Sequence, residues 1–222
     1  MAFYDDLIIA TETERNTLLS LPLITQGASG QISLTTYVAF LTEAYHHVKH
    51  TVPLLMACGG CLSEQYEWLR VSIGDYIAEE MGHQEWVLND IAGCGMDADA
   101  VRDGKPSLAT ELMVAYAYDM IHRVNPIGFF GMVLVLEGTS TAVATAAGQN
   151  LMQSLNLTPK SFTYLLSHGA LDVGHTDFYA GIVNQISDKN DQDCLIRSAK
   201  LFYQLYGNIF KEIEMRTMRK AT

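Results

Sequence analysis

The stretch that most restricts how this chain can fold runs from Val124 to Pro159 and holds one charged residue, Glu137. On a helical wheel, the neighbours of Glu137 on the same face are all apolar: Phe130, Val133, Leu134 and Ala144. This spacing predicts a helix with a carboxylate in its apolar face. The unbroken apolar and glycine run, residues 127–136, is far shorter than the roughly 20 residues of a transmembrane span. We therefore expect a core helix of a globular domain and no membrane association.

Glu137 needs a partner if that helix is buried. An isolated carboxylate in an apolar interior is strongly unfavourable or takes up a proton. No lysine or arginine lies between Val124 and Pro159. We therefore expect a cation, a basic group from another helix or a metal ion to meet Glu137.

A second segment also places polar groups among apolar ones. His168, Asp172 and His175 are spaced i, i+4, i+7, so they share one face of a helix. The other residues of that face are apolar or aromatic: Leu165, Tyr179, Ile182 and Ile186. The two imidazoles and the carboxylate are therefore predicted to point inward.

A third segment contains the motif Glu-x-x-His at Glu80 and His83, which are i, i+3 neighbours on a predicted helix. Glu80 shares its face with apolar residues only: Ile73, Ile77, Val87 and Ile91. Glu79 lies well off that face. We expect Glu80 to be the buried carboxylate, with His83 beside it.

Length, charge and cysteine content exclude several classes of protein. A chain of 222 residues fits one domain, 1–222, with its own apolar core. A net charge of −11 repels phosphate backbones and anionic lipids, so nucleic-acid binding is not expected. The single C-x-x-C motif, residues 58–61, lacks the second ligand pair of a structural zinc site. The acidic N-terminus does not resemble a secretory signal, and we expect a cytoplasmic protein.

Helical periodicity and end signals predict an all-α domain of about seven helices. Capping residues are expected at Ser33, Ser107, Asn125 and Thr158. No run of residues alternates as a strand would. The predicted helices cover about residues 3–19, 33–56, 62–91, 107–124, 126 onward, 158–186 and 191–218, with kinks near Pro53 and Gly74 and irregular connections at 20–30 and 96–106.

The conspicuous cluster Glu43, His46, His47 and His50 lies opposite the apolar side of the 33–56 helix. This position favours a solvent-exposed face, although a second layer of helices could cover it.

Together the three inward-facing segments supply three carboxylates and three histidines. With neutral histidines they carry about three negative charges, close to the charge of two divalent ions, and mixed carboxylate and imidazole ligands suit iron or manganese. Helical bundle cores are where dinuclear carboxylate sites occur. Ferritin-type sites usually have two Glu-x-x-His pairs. This chain has one, so it does not have the ferritin pattern.

The order Glu-x-x-His, a lone Glu in an apolar helix, then His-x-x-x-Asp-x-x-His resembles the heme-oxygenase-like diiron oxidases and oxygenases, iron-containing redox enzymes related to TenA and PqqC. The resemblance covers most of the chain. It implies six iron ligands: Glu80, His83, Glu137, His168, Asp172 and His175. Some members have an additional carboxylate before the first histidine, and Tyr76 occupies one such position here.

The resemblance further implies a bundle of seven to eight helices and two iron ions per chain, with manganese as an alternative. Its expected partners are dioxygen and a small-molecule substrate, and a homodimer is left open. Decarboxylation, carbon–carbon cleavage and N-oxygenation all remain open. Aromatic residues expected beside the metals as a substrate pocket are Tyr45, Tyr76, Phe130, Tyr164 and Tyr179.

Several alternatives share these sequence features. A TenA-like thiaminase is disfavoured because the Glu137 helix has no cysteine and Ala44 stands where an aspartate is expected. A heme oxygenase would need a histidine in the first helix, and the first histidine here is His46. A cofactorless PqqC-like oxidase and a non-catalytic metal- or ligand-binding protein remain open.

Overall fold

The computed structural model describes residues 2–219, except for the side chains of residues 168–175. The described part forms twelve α-helices and no β-strand, so the all-α prediction is confirmed. Short 3₁₀ turns at Glu64–Tyr66, Pro126–Phe129 and Pro159–Ser161 and a π-turn at Met120–Val124 connect some of them. In chain order the helices are α1 (Phe3–Ala10), α2 (Glu12–Leu19), α3 (Pro22–Ala28), α4 (Leu34–Val48), α5 (Thr51–Cys61), α6 (Glu67–Glu80), α7 (His83–Gly93), α8 (Ala98–Arg102), α9 (Leu108–Asp119), α10 (Phe130–Ser154), α11 (Thr163–Val183) and α12 (Lys189–Arg219).

The helix count exceeds seven or eight for two reasons. Three long predicted helices are each broken, and α3 and α8 form where irregular connections were predicted, at 20–30 and 96–106, so that prediction is wrong. The first breaks at Thr11, and the second ends at Val48, so that Pro53 falls in the first turn of α5, where proline is tolerated. The third breaks at Met81 and Gly82 instead of near Gly74. Gly82 has φ 96°, a left-handed conformation that glycine adopts without steric cost.

Three predicted helix caps are confirmed, and the fourth is wrong. Ser33, Ser107 and Asn125 each accept a hydrogen bond from a backbone N–H in the first turn of the helix that follows. Thr158 makes no such bond. Helix α11 begins at Thr163 instead, and a residue from another helix, Asp90, caps it.

Asp90 of α7 is fully buried and joins α7 to the first turn of α11. Its Oδ1 accepts from the Thr163 N–H at 2.9 Å and from the Thr163 hydroxyl at 2.5 Å, and its Oδ2 accepts from the Tyr164 N–H at 2.8 Å. Burial raises the pKa of Asp90, while these hydrogen bonds act in the opposite direction. The helices that carry His83 and the His168 segment are therefore tied together.

Helix α10 crosses the centre of the bundle and packs against α3, α11 and α12. Gly131 allows the close approach to α12, since a Cβ there would lie 2.3 Å from the Ser198 Oγ and 2.6 Å from the Ala199 nitrogen. Among the described residues, the segment Pro126–Ser154 is long and apolar enough to cross a membrane. More than half of that segment's most apolar window is buried inside the protein, as in the core helix of a globular domain.

The predicted solvent-exposed face of α4 is wrong. Glu43 is 1% exposed, and His46 and His47 are each 2% exposed. Helices α7, α9 and α12 pack against α4 and cover it from more than one side. The open alternative, a second layer of helices, is therefore what the structure contains.

Candidate metal centre and substrate cavity

A cavity of about 150 Å³ lies where the two apolar clusters of the core meet. Most of its described lining is aliphatic or aromatic, and that lining contains no lysine, arginine or cysteine. Its polar members are Tyr37, His47, Thr51, Tyr76, Glu80, Glu137, Thr139, Ser140, Tyr164 and Tyr206. The interior is therefore apolar with a small number of polar groups, as is usual for a site that binds an organic ligand.

Two of the predicted ligands, Glu80 and Glu137, meet in this cavity from different helices. Glu80 is the last residue of α6, and Glu137 lies in the middle of α10. Burial raises the pKa of Tyr76, and the negative charges of Glu137 and, more weakly, of Glu80 raise it further. Both carboxylates are thus close to one buried phenol.

His83 is held against Glu80 although a helix break separates the two residues. Its Nδ1 lies 3.0 Å from the Glu80 Oε2, and its ring stacks on Trp86 with centroids 3.9 Å apart. The left-handed Gly82 ends α6 and begins α7, so Glu80 and His83 belong to different helices. The Glu-x-x-His pair is preserved because the turn at Gly82 brings α7 back towards the end of α6.

The remaining predicted ligands, His168, Asp172 and His175, belong to α11, and their side chains lie outside the described part of the structure. Among the side chains that are described, no three histidine, cysteine, aspartate or glutamate groups are placed to hold a metal ion. The described donors are nevertheless two carboxylates in the cavity wall and one imidazole, His83, which contacts one of them and is not part of the described lining. Iron and manganese accept these donor types.

The five aromatic residues predicted to form the pocket divide into two sets. Tyr76 and Tyr164 line the cavity. Tyr45, Phe130 and Tyr179 are buried but do not belong to its described lining, because they pack within the core. The Tyr179 hydroxyl donates to the Phe130 carbonyl at 2.8 Å, and Tyr45 packs edge-on against His46.

Several polar residues of the cavity wall were not expected from the sequence, among them His47 and Ser140. His47 lines the cavity and packs edge-on against Tyr206, with ring centroids 5.8 Å apart. Helical-wheel analysis misses it because α4 is covered on both sides. Ser140 follows Glu137 by one helical turn, and the only sequence signal for it is the Thr-Ser-Thr run at 139–141 inside an apolar helix.

The family model described as iron-containing redox enzyme matches residues 38–207. The chain belongs to the iron-containing redox enzymes. Its match covers α4 to the middle of α12, and so includes Glu80, His83, Glu137 and the α11 segment. No curated protein matches the sequence.

Solved structures similar to this iron-containing redox enzyme show the heme-oxygenase-like fold. A domain of unknown function with that fold from Shewanella denitrificans OS217 has a TM-score of 0.89 at 22% identity, covering 99% of this chain and 95% of that one. A TenA homolog from Pseudomonas syringae pv. tomato DC3000 has a TM-score of 0.83 at 12% identity, with coverage of 96% and 93%. Heme oxygenase-1 from Synechocystis sp. PCC6803, solved with heme, has a TM-score of 0.74 at 10% identity, with coverage of 100% and 96%. The predicted heme-oxygenase-like bundle is therefore confirmed.

Proposed function

We propose that this iron-containing redox enzyme binds two non-heme iron ions and uses dioxygen to oxidise a small, mainly apolar organic molecule. The observation that carries the proposal is the meeting of Glu80 and Glu137, from two helices, in one apolar cavity beside Tyr76. Two carboxylates without a described lysine or arginine in the cavity lining are strongly unfavourable unless a cation joins them. A metal centre supplies that cation.

The proposed ligand set is Glu80, His83, Glu137, His168, Asp172 and His175. The last three are proposed from their spacing along α11, which is one continuous helix from Thr163 to Val183. When bound, iron would supply the electrons for reducing dioxygen. Manganese, which accepts the same donors, is the alternative metal.

The surrounding residues have separate roles in this proposal. Tyr76 keeps its proton beside Glu137, because the charge of that carboxylate raises the pKa of the phenol. The apolar lining excludes water and holds the body of the substrate by burial of its surface. Asp90 positions α11 relative to α7, on which His83 lies.

Two activities known from proteins of the same fold, thiaminase and heme oxygenase, are disfavoured for this chain. One solved structure of the same fold is that of a putative TenA-like thiaminase from Sulfolobus solfataricus P2. The described lining here has no cysteine to act as the thiaminase nucleophile. Heme ligation from the first helix would need a histidine, and α1 contains none.

The test is to mix anaerobically Fe(II)-loaded protein with dioxygen and record oxygen consumption and visible absorption. The proposal expects consumption of dioxygen and a transient visible band. Glu137→Gln should remove both, whereas Glu111→Gln, on the exposed surface of α9, should remove neither. Bound iron with neither signal would favour a metal-binding protein without oxidase activity, and oxygen consumption without iron would favour a cofactorless oxidase.

A further inference from the structure

Ser140 has a buried hydroxyl in the cavity wall for which the described residues provide no partner. Its Oγ is inaccessible to solvent and makes no hydrogen bond to any residue that the structure describes. Polar groups buried in proteins are almost always hydrogen-bonded, so such an atom calls for an explanation. Ser140 lies on α10 one turn after Glu137, where side chains of i, i+3 pairs are about 5–6 Å apart at Cβ.

The hydroxyls on either side of Ser140, those of Thr139 and Thr141, both have hydrogen-bond partners. The lack of a partner is therefore not common to all hydroxyls in this part of α10. The Thr139 hydroxyl donates to the Val135 carbonyl at 2.6 Å, and the Thr141 hydroxyl donates to the Glu137 carbonyl at 2.9 Å. A carbonyl four residues earlier is the ordinary partner of a serine or threonine within a helix. Ser140 makes no such bond and instead faces the cavity.

We infer that Ser140 is a substrate-recognition residue: its hydroxyl donates a hydrogen bond to an uncharged oxygen acceptor on an otherwise apolar substrate. The acceptor is a carbonyl, hydroxyl or ether oxygen, because the described lining has no cation to bind an anionic group and contains two carboxylates. The inference deepens the proposed function and rests on it for the position of the reacting atoms near Glu137. Ser140 would place the acceptor one helical turn from those atoms.

The test compares two probes of similar shape, 4-phenylbutan-2-one and butylbenzene, of which only the first has an acceptor oxygen. Their affinities are measured on metal-free protein by displacement of the uncharged dye N-phenyl-1-naphthylamine. Wild type should bind the ketone about five-fold more tightly, relative to the hydrocarbon, than Ser140→Ala does. Thr141→Ala, which removes a hydroxyl that already has a carbonyl partner, should keep the wild-type preference.

An infrared measurement on the bound ketone gives an independent signal of the hydrogen bond. The carbonyl stretch should lie at lower frequency in wild type than in Ser140→Ala. Ser140→Ala would overturn the inference if it left both the ketone preference and the carbonyl stretch unchanged. The inference would also be overturned if Thr141→Ala lost the ketone preference to the same extent, or if the ketone did not bind to wild type.

The outcome is distinguishable from failure of the proposed function, because neither iron nor dioxygen takes part in this assay. An equal ketone preference in wild type and Ser140→Ala, together with normal iron binding, would overturn only the role of Ser140. A normal preference with no iron binding would overturn only the metal centre.

Discussion

At the scale of single residues, Glu43 shows how a carboxylate is stabilised inside this bundle without a metal. It accepts hydrogen bonds from the Ser107 N–H at 3.0 Å, the Thr110 hydroxyl at 2.6 Å and Arg216 at 2.5 Å. Burial alone would raise the pKa of Glu43, but the bonds from Thr110, Arg216 and Ser107 outweigh it and lower the pKa. Glu43 therefore links α4 to the start of α9 and to the end of α12.

The lowered pKa of Glu43 predicts a specific loss of stability in acid. An acid with a depressed folded pKa contributes its full stabilisation above its unfolded value, here 4.5, and loses it as the pH falls through the folded pKa. Glu43→Gln should therefore reduce the free energy of unfolding by about 1–2 kcal/mol at neutral pH. The difference from wild type should shrink below pH 4.5, as measured by urea unfolding over a pH series. A difference that does not change with pH would contradict the assignment.

Glu80 and Glu79 form a matched pair for testing the proposed ligands. They are adjacent in sequence, but Glu80 lines the cavity and Glu79 is exposed. Glu80→Gln should lower the iron content after anaerobic loading to less than about half of the wild-type value, because a neutral amide is a poor ligand for iron. Glu79→Gln should bind iron as wild type does. Equal losses, measured by metal analysis of desalted protein, would show that the cavity does not hold the metal.

Whether a side chain faces the interior can be predicted from the sequence where only one face of its helix is buried. Glu80 follows that rule, since it lies among apolar residues and is found in the cavity wall. His47 does not follow it, because α7, α9 and α12 pack against α4 and bury its polar residues Glu43, His46 and His47 as well. The side chains of His168, Asp172 and His175 stay a prediction.

At the scale of helices, a capping residue that directly precedes its own helix can be predicted from the sequence. A cap supplied by a residue far away in the chain cannot. Ser33 and Ser107 cap their own helices, three residues away from the N–H groups that they bind. Asp90 caps α11 from a position more than 70 residues earlier, and no local pattern indicates it. The break at Gly82 is likewise not marked by proline, and only the left-handed backbone reveals it.

Removal of the Asp90 carboxylate should strongly reduce the stability of the protein. Asp90→Ala leaves the buried N–H groups of Thr163 and Tyr164 without their acceptor, so the free energy of unfolding should fall by about 2–4 kcal/mol. Asp97→Ala is the control, because Asp97 is exposed and caps α8 through one hydrogen bond to the Ala100 N–H. That change should cost at most about 1 kcal/mol. Similar effects in urea unfolding would contradict the role of Asp90 in joining α7 and α11.

The close contact between α10 and α12 predicts that replacing two glycines of α10 by alanine has opposite effects on stability. A methyl group at Gly131 would collide with Ser198 and Ala199, whereas no atom of the described residues lies within 4 Å of a Cβ at Gly138. Gly131→Ala should destabilise the protein by about 1–3 kcal/mol through overpacking. Gly138→Ala should stabilise it by about 0.5–1 kcal/mol, since alanine is the better helix former. Thermal unfolding measures both, and a stabilised Gly131→Ala would contradict the close packing of α10 on α12.

At the scale of the whole molecule, the fold is more predictable than its helix count. Helical periodicity and the apolar stretch around Glu137 suffice for an all-α bundle, and the family match and structural similarities agree with it. The twelve described helices exceed the prediction because breaks at Thr11, after Val48 and at Gly82 interrupt predicted helices, and because α3 and α8 form within predicted connections. The cavity is a property of the assembled bundle, since its lining comes from both apolar clusters of the core.

The central claim is that this cavity and α11 together hold a dinuclear iron centre. The most direct test is the number of iron ions that remain bound per chain after anaerobic loading with Fe(II) and removal of free metal. A value close to two is expected from six carboxylate and imidazole ligands. A value below about 0.3 per chain would contradict the metal centre.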